Sequence, residues 1–231
     1  MNPYRTVTEL IHAQVGRPAV VMGGGEHLPT EVAAAPQDAV FISANQHGAL
    51  LRRVDYIVSL DKRIEPVLRQ FDVTLVSNRD WGDVQILNQP AAESGIAAAW
   101  FARLLGCAPI VITGMDCYSG GTYWHDPGAP SNGFTLTPDK HLARWRLLAM
   151  GHPTMYRVID GPLLQVFPRY DPNEPAEIPS DASADAIYQQ VHGTRVKFLR
   201  PEGRFLAGEV VEINQNRALR LARAKIVKRI D

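Results

Sequence analysis

The sequence predicts an α/β fold, a mostly parallel sheet flanked by helices, with a small β-rich module at the C-terminal end. Two observations predict it. Short apolar, largely β-branched runs recur at Ala19 to Met22, Ala39 to Ser43, Tyr56 to Leu60, Val73 to Val76 and Ile110 to Thr113, and runs of that length read as strands buried on both faces. Between the last two lies Ala92 to Leu105, rich in Ala, Leu, Trp and Phe, which suits a crossover helix packed on the sheet. Strands alternating with helices give a doubly wound, Rossmann-like arrangement, and such sheets bind ligands outside the carboxyl ends of their strands.

The remaining elements follow in order. Thr6 to Val15 reads as a short amphipathic helix with Val7, Leu10 and Ile11 on one side. His141 to Gly151 is a further helix, and Met155 to Ile159 and Leu164 to Phe167 are two more short strands. Pro168, Pro172, Pro175 and Pro179 then sit among Asp, Glu, Ser and Ala, the composition of a linker over the surface, with a short helix over Ala184 to Val191. A hairpin resumes at Arg195 to Leu199 and Phe205 to Ile213 around a Pro-Glu-Gly turn, followed by a helix at Asn216 to Ala224 and a strand at Ile226 to Arg229. The expected organisation is a body over 1–168, a Pro-rich linker over 169–189 and a small module over 190–231. A module of that size buries little core alone, so it is expected to lean on the body or on another subunit.

Composition narrows the class. Of 231 residues, 45% are apolar and 21% charged, ordinary values for a soluble globular protein. No run approaches the roughly 18 apolar residues of a membrane span, and the N-terminal residues Arg5, Glu9 and His12 do not suit a signal peptide. The expected location is cytoplasmic. Cys107 and Cys117 flank a strand without metal-ligand spacing and read as free, partly buried thiols. The net charge of zero hides an asymmetry. Ten basic and four acidic residues lie from Gln190 onward, leaving 14 of the 24 basic and 20 of the 24 acidic residues in 1–189, so the tail is +6 and the rest −6. A basic tail can contact nucleic acid, an acidic partner or the body itself. The sparse aromatics there, Phe198 and Phe205, weigh against nucleic acid.

Four strand ends carry chemistry. Val20-Val-Met-Gly-Gly-Gly places Gly23, Gly24 and Gly25 where a phosphate or ribose can approach backbone N–H groups; a tight turn with nothing bound is the alternative. It is not the spaced dinucleotide fingerprint, because His27 and Leu28 follow. Phe41-Ile-Ser-Ala-Asn-Gln-His-Gly brings Asn45 and Gln46 to the next strand end, where an Asn can read a base edge or ribose, or simply turn the chain. Glu93-Ser-Gly sets Ser94 and Gly95 at a positive helix end, suited to an anion, with an ordinary helix cap as the competing reading.

The richest of the four follows Ile110 to Thr113, in Gly-Met-Asp-Cys-Tyr-Ser-Gly-Gly-Thr-Tyr-Trp-His-Asp. Tyr118 and Tyr123 can donate to phosphate oxygens, and Asp116 can bind a ribose, orient a neighbour or hold a metal. Trp124, His125 and Asp126 lead into a Gly/Pro/Ser-rich stretch reaching Pro138, whose lack of periodicity suggests a lid.

In this order the four motifs resemble the bacterial family 42 sialyltransferases and their relatives, the motility-associated glycosyltransferases and hydroxymethylpterin pyrophosphokinase-like proteins. The resemblance covers roughly residues 18–168. It implies a nucleotide-sugar pocket in which Gly23, Gly24, Gly25, Asn45, Ser94, Gly95, Tyr118 and Tyr123 contact the nucleotide, with Gln46 and Asp116 beside them. The tyrosines would stabilise the departing phosphate of a cytidine or other nucleotide-activated sugar, and no metal would be obligatory. The pyrophosphokinase-like relatives imply an alternative, magnesium-dependent pyrophosphoryl or nucleotidyl transfer, with Asp61 and Asp116 as the positions for the metal.

The chain departs from the family at the base. The sialyltransferases place a His shortly after the lid, where Leu136 stands here; His141, more than a helical turn further on, and His125, within the lid, are the two candidates to deprotonate an acceptor hydroxyl. The tail pattern Val-Lys-Phe-Leu-Arg-Pro-Glu-Gly-Arg-Phe-Leu-Ala-Gly-Glu-Val resembles small barrel-like modules of bacteriophage-encoded proteins. That resemblance implies a phage or prophage origin and leaves a third reading, a non-catalytic structural or interaction protein on a Rossmann scaffold.

Overall fold

The structure is a computed structural model that describes residues 5–79, 81–86, 92–117, 122–130, 137–149, 153–175, 194–199, 210–213 and 227–229. Its centre is an eight-stranded sheet in which every pairing is parallel. The strands are β1 (Arg5–Thr6), β2 (Ala19–Met22), β3 (Val40–Ala44), β4 (Tyr56–Val58), β5 (Thr74–Ser77), β6 (Val84–Gln85), β7 (Ile110–Thr113) and β10 (Tyr156–Val158), while β8 (Thr122–Tyr123) and β9 (Asp126–Pro130) pair separately. They lie in the order β1-β6-β5-β4-β3-β2-β7-β10. The chain therefore winds outward from β2 in one direction and, after helix α4 (Ser94–Leu104), returns to β2's other side. The point of reversal lies between β2 and β7, registered from Ala19 opposite Ile110 to Met22 opposite Thr113. Crevices at such reversals are where open α/β sheets take their ligands.

The sheet is apolar on both faces because its strands alternate between two cores. Ala19 and Val21 face one cluster together with α4, while Val20 and Met22 face the other, against Leu28 and Val32 of α1 (Leu28–Ala34). Helix α4 is buried almost all round: Ala97, Ala98, Ala99, Phe101 and Ala102 are fully covered, and the run of alanines lets it lie close on the strands. Trp145 of α5 (Pro138–Ala149) and Phe167 meet edge-on at 6.1 Å and extend the first core beyond α4. Two short helices, α2 (His47–Leu51) and α3 (Glu65–Leu68), follow β3 and precede β5.

Two sequence expectations fail here for identifiable reasons. Thr6 to Val15 is not a helix; β1 passes into a 3₁₀ turn at Val7–Leu10, and His12 adopts φ 59°. The His12 and Gln14 N–H groups donate to the carbonyls of Leu104 and Leu105 at 2.9 and 2.8 Å, so the end of α4 captures the backbone bonds a helix would need. Leu164 to Phe167 is not a strand either. Gly161 at φ 91° and Pro162 start a 3₁₀ helix over Pro162–Gln165, which buries Leu163.

Beyond this body, β11 (Thr194–Phe198), β12 (Val210–Ile213) and β13 (Val227–Arg229) form an antiparallel sheet in the order β12-β11-β13. The helices expected at Ala184 to Val191 and Asn216 to Ala224 lie outside the described residues. Among the described residues no helix is long and apolar enough to cross a membrane. Cys107 and Cys117 are free and buried.

Candidate functional site

Two loops meet where β2 and β7 part. The Gly23 N–H donates to Thr113 O and the Gly25 N–H to Gly114 O, each at 2.8 Å, so two of the three glycine donors bind the neighbouring loop. A Cβ on Gly23 would lie 2.2 Å from Gly114 O, and one on Gly25 would lie 1.6 Å from Asp116 Oδ1. The glycines are thus required by the closeness of the two loops. Gly114 turns at φ 62°, and its N–H donates to Glu31 Oε2 at 2.6 Å, an anchor reaching up from α1. Burial raises the carboxyls of both Glu31 and Asp116 above their ordinary range, opposed by hydrogen bonds from Gly114 to Glu31 and from Glu26 to Asp116.

At the end of β3, Ser43 organises the turn. Its hydroxyl donates to Asn45 O at 2.6 Å and accepts from the N–H groups of Gly48 and Ala49 at 2.9 and 3.2 Å. Asn45 sits in the left-handed region at φ 55°, which Asn tolerates better than most residues. Its Oδ1 is shielded from solvent without a hydrogen-bond partner among the described residues. Gln46 precedes α2 and does not line the cavity described below.

The expected lid contains a hairpin, β8 (Thr122–Tyr123) with β9 (Asp126–Pro130). It is fastened to the glycine loop by a bridge between Gly25 and Tyr123 and by the Trp124 N–H donating to Gly24 O at 3.1 Å. Trp124 Nε1 donates to His47 O at 3.2 Å. The His47 ring stacks on Tyr123 at 4.7 Å, and its Nδ1 lies 2.9 Å from His125 Nε2. Burial, reinforced by the neighbouring His125, lowers the His47 pKa to about 4. Burial also raises that of the Tyr123 hydroxyl, which stays a donor at neutral pH. Tyr118 lies outside the described residues.

The fourth strand end joins two helices. Ser94 does not cap α4 with its side chain; its Oγ accepts from the Leu60 N–H at 3.1 Å, tying the helix start to the end of β4. Glu93 precedes it, and its carboxylate reaches α5: Oε2 is 2.8 Å from His141 Nδ1, and Oε1 accepts from Arg144. Asp61 is bound through both oxygens by Arg63, at 2.9 Å to Nε and 2.7 Å to Nη2, and this hydrogen-bonded pairing lowers its pKa. Among the described residues no group of three or more His, Cys, Asp or Glu is arranged to hold a metal ion.

These pieces enclose a cavity of about 640 Å³. It brings together Gly23, Gly24, Gly25, Asn45, Asp61, Ser94, Gly95, Asp116, Tyr123 and His141. His125 stands behind His47 and is not among the lining residues.

No protein-family model matches the chain, and no curated protein matches it. Among solved structures, the MAf glycosyltransferase from Magnetospirillum magneticum AMB-1 aligns with a TM-score of 0.47 and 14% identity over 80% of this chain. The chain spans 40% of that protein's length. The sialyltransferase CstII from Campylobacter jejuni, in complex with the substrate analogue CMP-3FNeuAc, aligns with a TM-score of 0.47 and 10% identity over 90% of this chain and 99% of its own.

The cavity is also lined by His47, Arg63, Glu93, Arg144 and Trp145, to which the sequence pattern alone assigns no role. His47 was visible two positions after Asn45, within a motif already singled out. Glu93 stands immediately before Ser94, yet its bond to His141 spans 48 positions, and no spacing in the sequence signals it.

Proposed function

We propose that the chain is a glycosyltransferase that uses a nucleotide-activated sugar, with a cytidine nucleotide as the donor class. The observation that carries this reading is the cavity at the reversal between β2 and β7, where the buried His141 with its half-buried partner Glu93, a tyrosine, Asn45 and the start of α4 line one space. Its volume lies within the roughly 300–1,000 Å³ of small-molecule sites. The positive end of α4, at Ser94 and Gly95, suits the phosphate, and Asn45 Oδ1, without a hydrogen-bond partner among the described residues, suits a ribose hydroxyl or base amine. Tyr123, held protonated by burial, donates to the phosphate as it leaves. His141 takes the proton of the acceptor hydroxyl. The cytidine preference comes from the four-motif resemblance to the sialyltransferases.

This reading requires no magnesium; Asp61, a metal position in the alternative, is paired through both oxygens with Arg63. Calorimetric titration with cytidine, uridine, adenosine and guanosine mono- and diphosphates tests the proposal. Micromolar binding of a cytidine nucleotide, weakened at least tenfold by Asn45→Ala, is the expected result. Absence of binding by every nucleotide at millimolar concentration would overturn it.

A further inference from the structure

We infer that Glu93 is the positioning residue for His141, holding the ring in the tautomer whose Nε2 lone pair accepts the proton; this rests on the transferase reading above. Glu93 occupies the N-cap position of α4 with extended backbone, φ −130° and ψ 132°, but its side chain makes no capping bond. Both carboxylate oxygens go instead to α5, where His141 and Arg144 stand three positions apart and so on one face of the helix. The His141 side chain is 3% exposed and that of Glu93 17%, so the pair is removed from bulk water.

A carboxylate only accepts hydrogen bonds, so Nδ1 of His141 must carry a proton to bond at 2.8 Å. In the neutral ring that leaves the lone pair on Nε2, the atom through which the proposed base takes a proton. Arg144, always charged, binds the second oxygen and keeps the carboxylate turned toward α5. The acceptor oxygen forms its bond to the anomeric carbon, its proton passes to Nε2, and the bond from that carbon to the phosphate oxygen breaks with its electron pair leaving on the nucleoside monophosphate. The imidazolium so formed lies against the Glu93 carboxylate, which stabilises it as charge develops.

The test uses the full-length protein. Two-bond ¹H–¹⁵N correlation spectra of ¹⁵N-labelled wild type should show His141 with its proton on Nδ1. Glu93→Ala should shift the ring toward the Nε2-protonated form, while Glu93→Gln, whose amide oxygen still accepts, should retain the wild-type tautomer. With cytidine-monophosphate-activated sialic acid as donor and water as acceptor, Glu93→Ala should lower kcat by about a hundredfold and leave KM within about twofold. A wild-type ring protonated on Nε2, an unchanged tautomer in Glu93→Ala, or a raised KM with unaltered kcat would overturn the inference. Should the wild type bind no nucleotide, the transferase reading fails, and the tautomer spectra still decide whether Glu93 orients His141.

Discussion

His47 Nδ1 and His125 Nε2 face each other at 2.9 Å, an arrangement in which one ring must donate and the other accept. They come from different segments: His47 opens α2, and His125 sits in the turn between β8 and β9. The bond needs a single proton between the facing nitrogens, so only a proton on both would break the contact between the hairpin and α2.

This has a definite pH dependence. The folded pKa of His47 lies at about 4, below the ordinary 6.5, so the unfolded chain binds more protons between those values. Stability is fully present above pH 6.5, falls as pH drops toward 4, and at full protonation has lost up to roughly 3 kcal/mol from this ring. Glu31 and Asp116, whose carboxyls burial raises, act in the opposite sense. His47→Phe keeps the stack on Tyr123 and removes the titration. Thermal melts from pH 7 to 4.5 should show a steeper loss for the wild type than for that variant; parallel curves would contradict the assignment.

The glycine loop should be intolerant of a single methyl group, for two different reasons. In Gly23→Ala the new Cβ meets the Gly114 carbonyl, which is backbone and cannot turn aside. A loss of about 1–3 kcal/mol in urea unfolding is expected. In Gly25→Ala the obstacle is the Asp116 carboxylate, a side chain able to move. The expected outcome is a smaller stability loss and a marked loss of nucleotide affinity, measured by calorimetry.

Ser94→Ala removes the acceptor of the Leu60 N–H. It should cost about 1–2 kcal/mol in chemical denaturation, and Ser94→Thr, which keeps the hydroxyl, should recover most of it.

Burial pushes the thiols of Cys107 and Cys117 up to about 12. At pH 8 the thiolate fraction is then about one in ten thousand. A disulfide reagent should leave both untouched in the native protein and modify both in urea. Rapid native labelling of Cys117 would mean that the loop after β7 opens readily.

The parts of the fold that were legible in the sequence are those that local pattern alone dictates. Ile110–Thr113 appears where the β-branched run stands, and Ala92 to Leu105 shortens only at its ends to Ser94–Leu104. Thr6 to Val15 misled because Val7, Leu10 and Ile11 have helical spacing, while the hydrogen bonds that decide their conformation come from residues about ninety positions away. Strands β1 and β6 are two residues each, too short for any periodicity to register. At the site the same division holds. Glycines, Asn45 and Asp116 announce themselves at strand ends, whereas the partners of His141 depend on how α5 lies against α4.

The left-handed backbone at Asn45 separates two tasks that usually share one side chain. Its turn is maintained by the Ser43 hydroxyl and by the Asn45 N–H donating to Val58 O at 2.9 Å, neither of which uses the amide group. Glycine adopts the same φ without strain, so Asn45→Gly erases the amide while leaving the scaffold in place. Under the proposed function, the affinity lost on that exchange is close to a direct measure of what one amide contributes to nucleotide binding, a quantity that most binding sites conceal because removing the group also disturbs the frame that holds it.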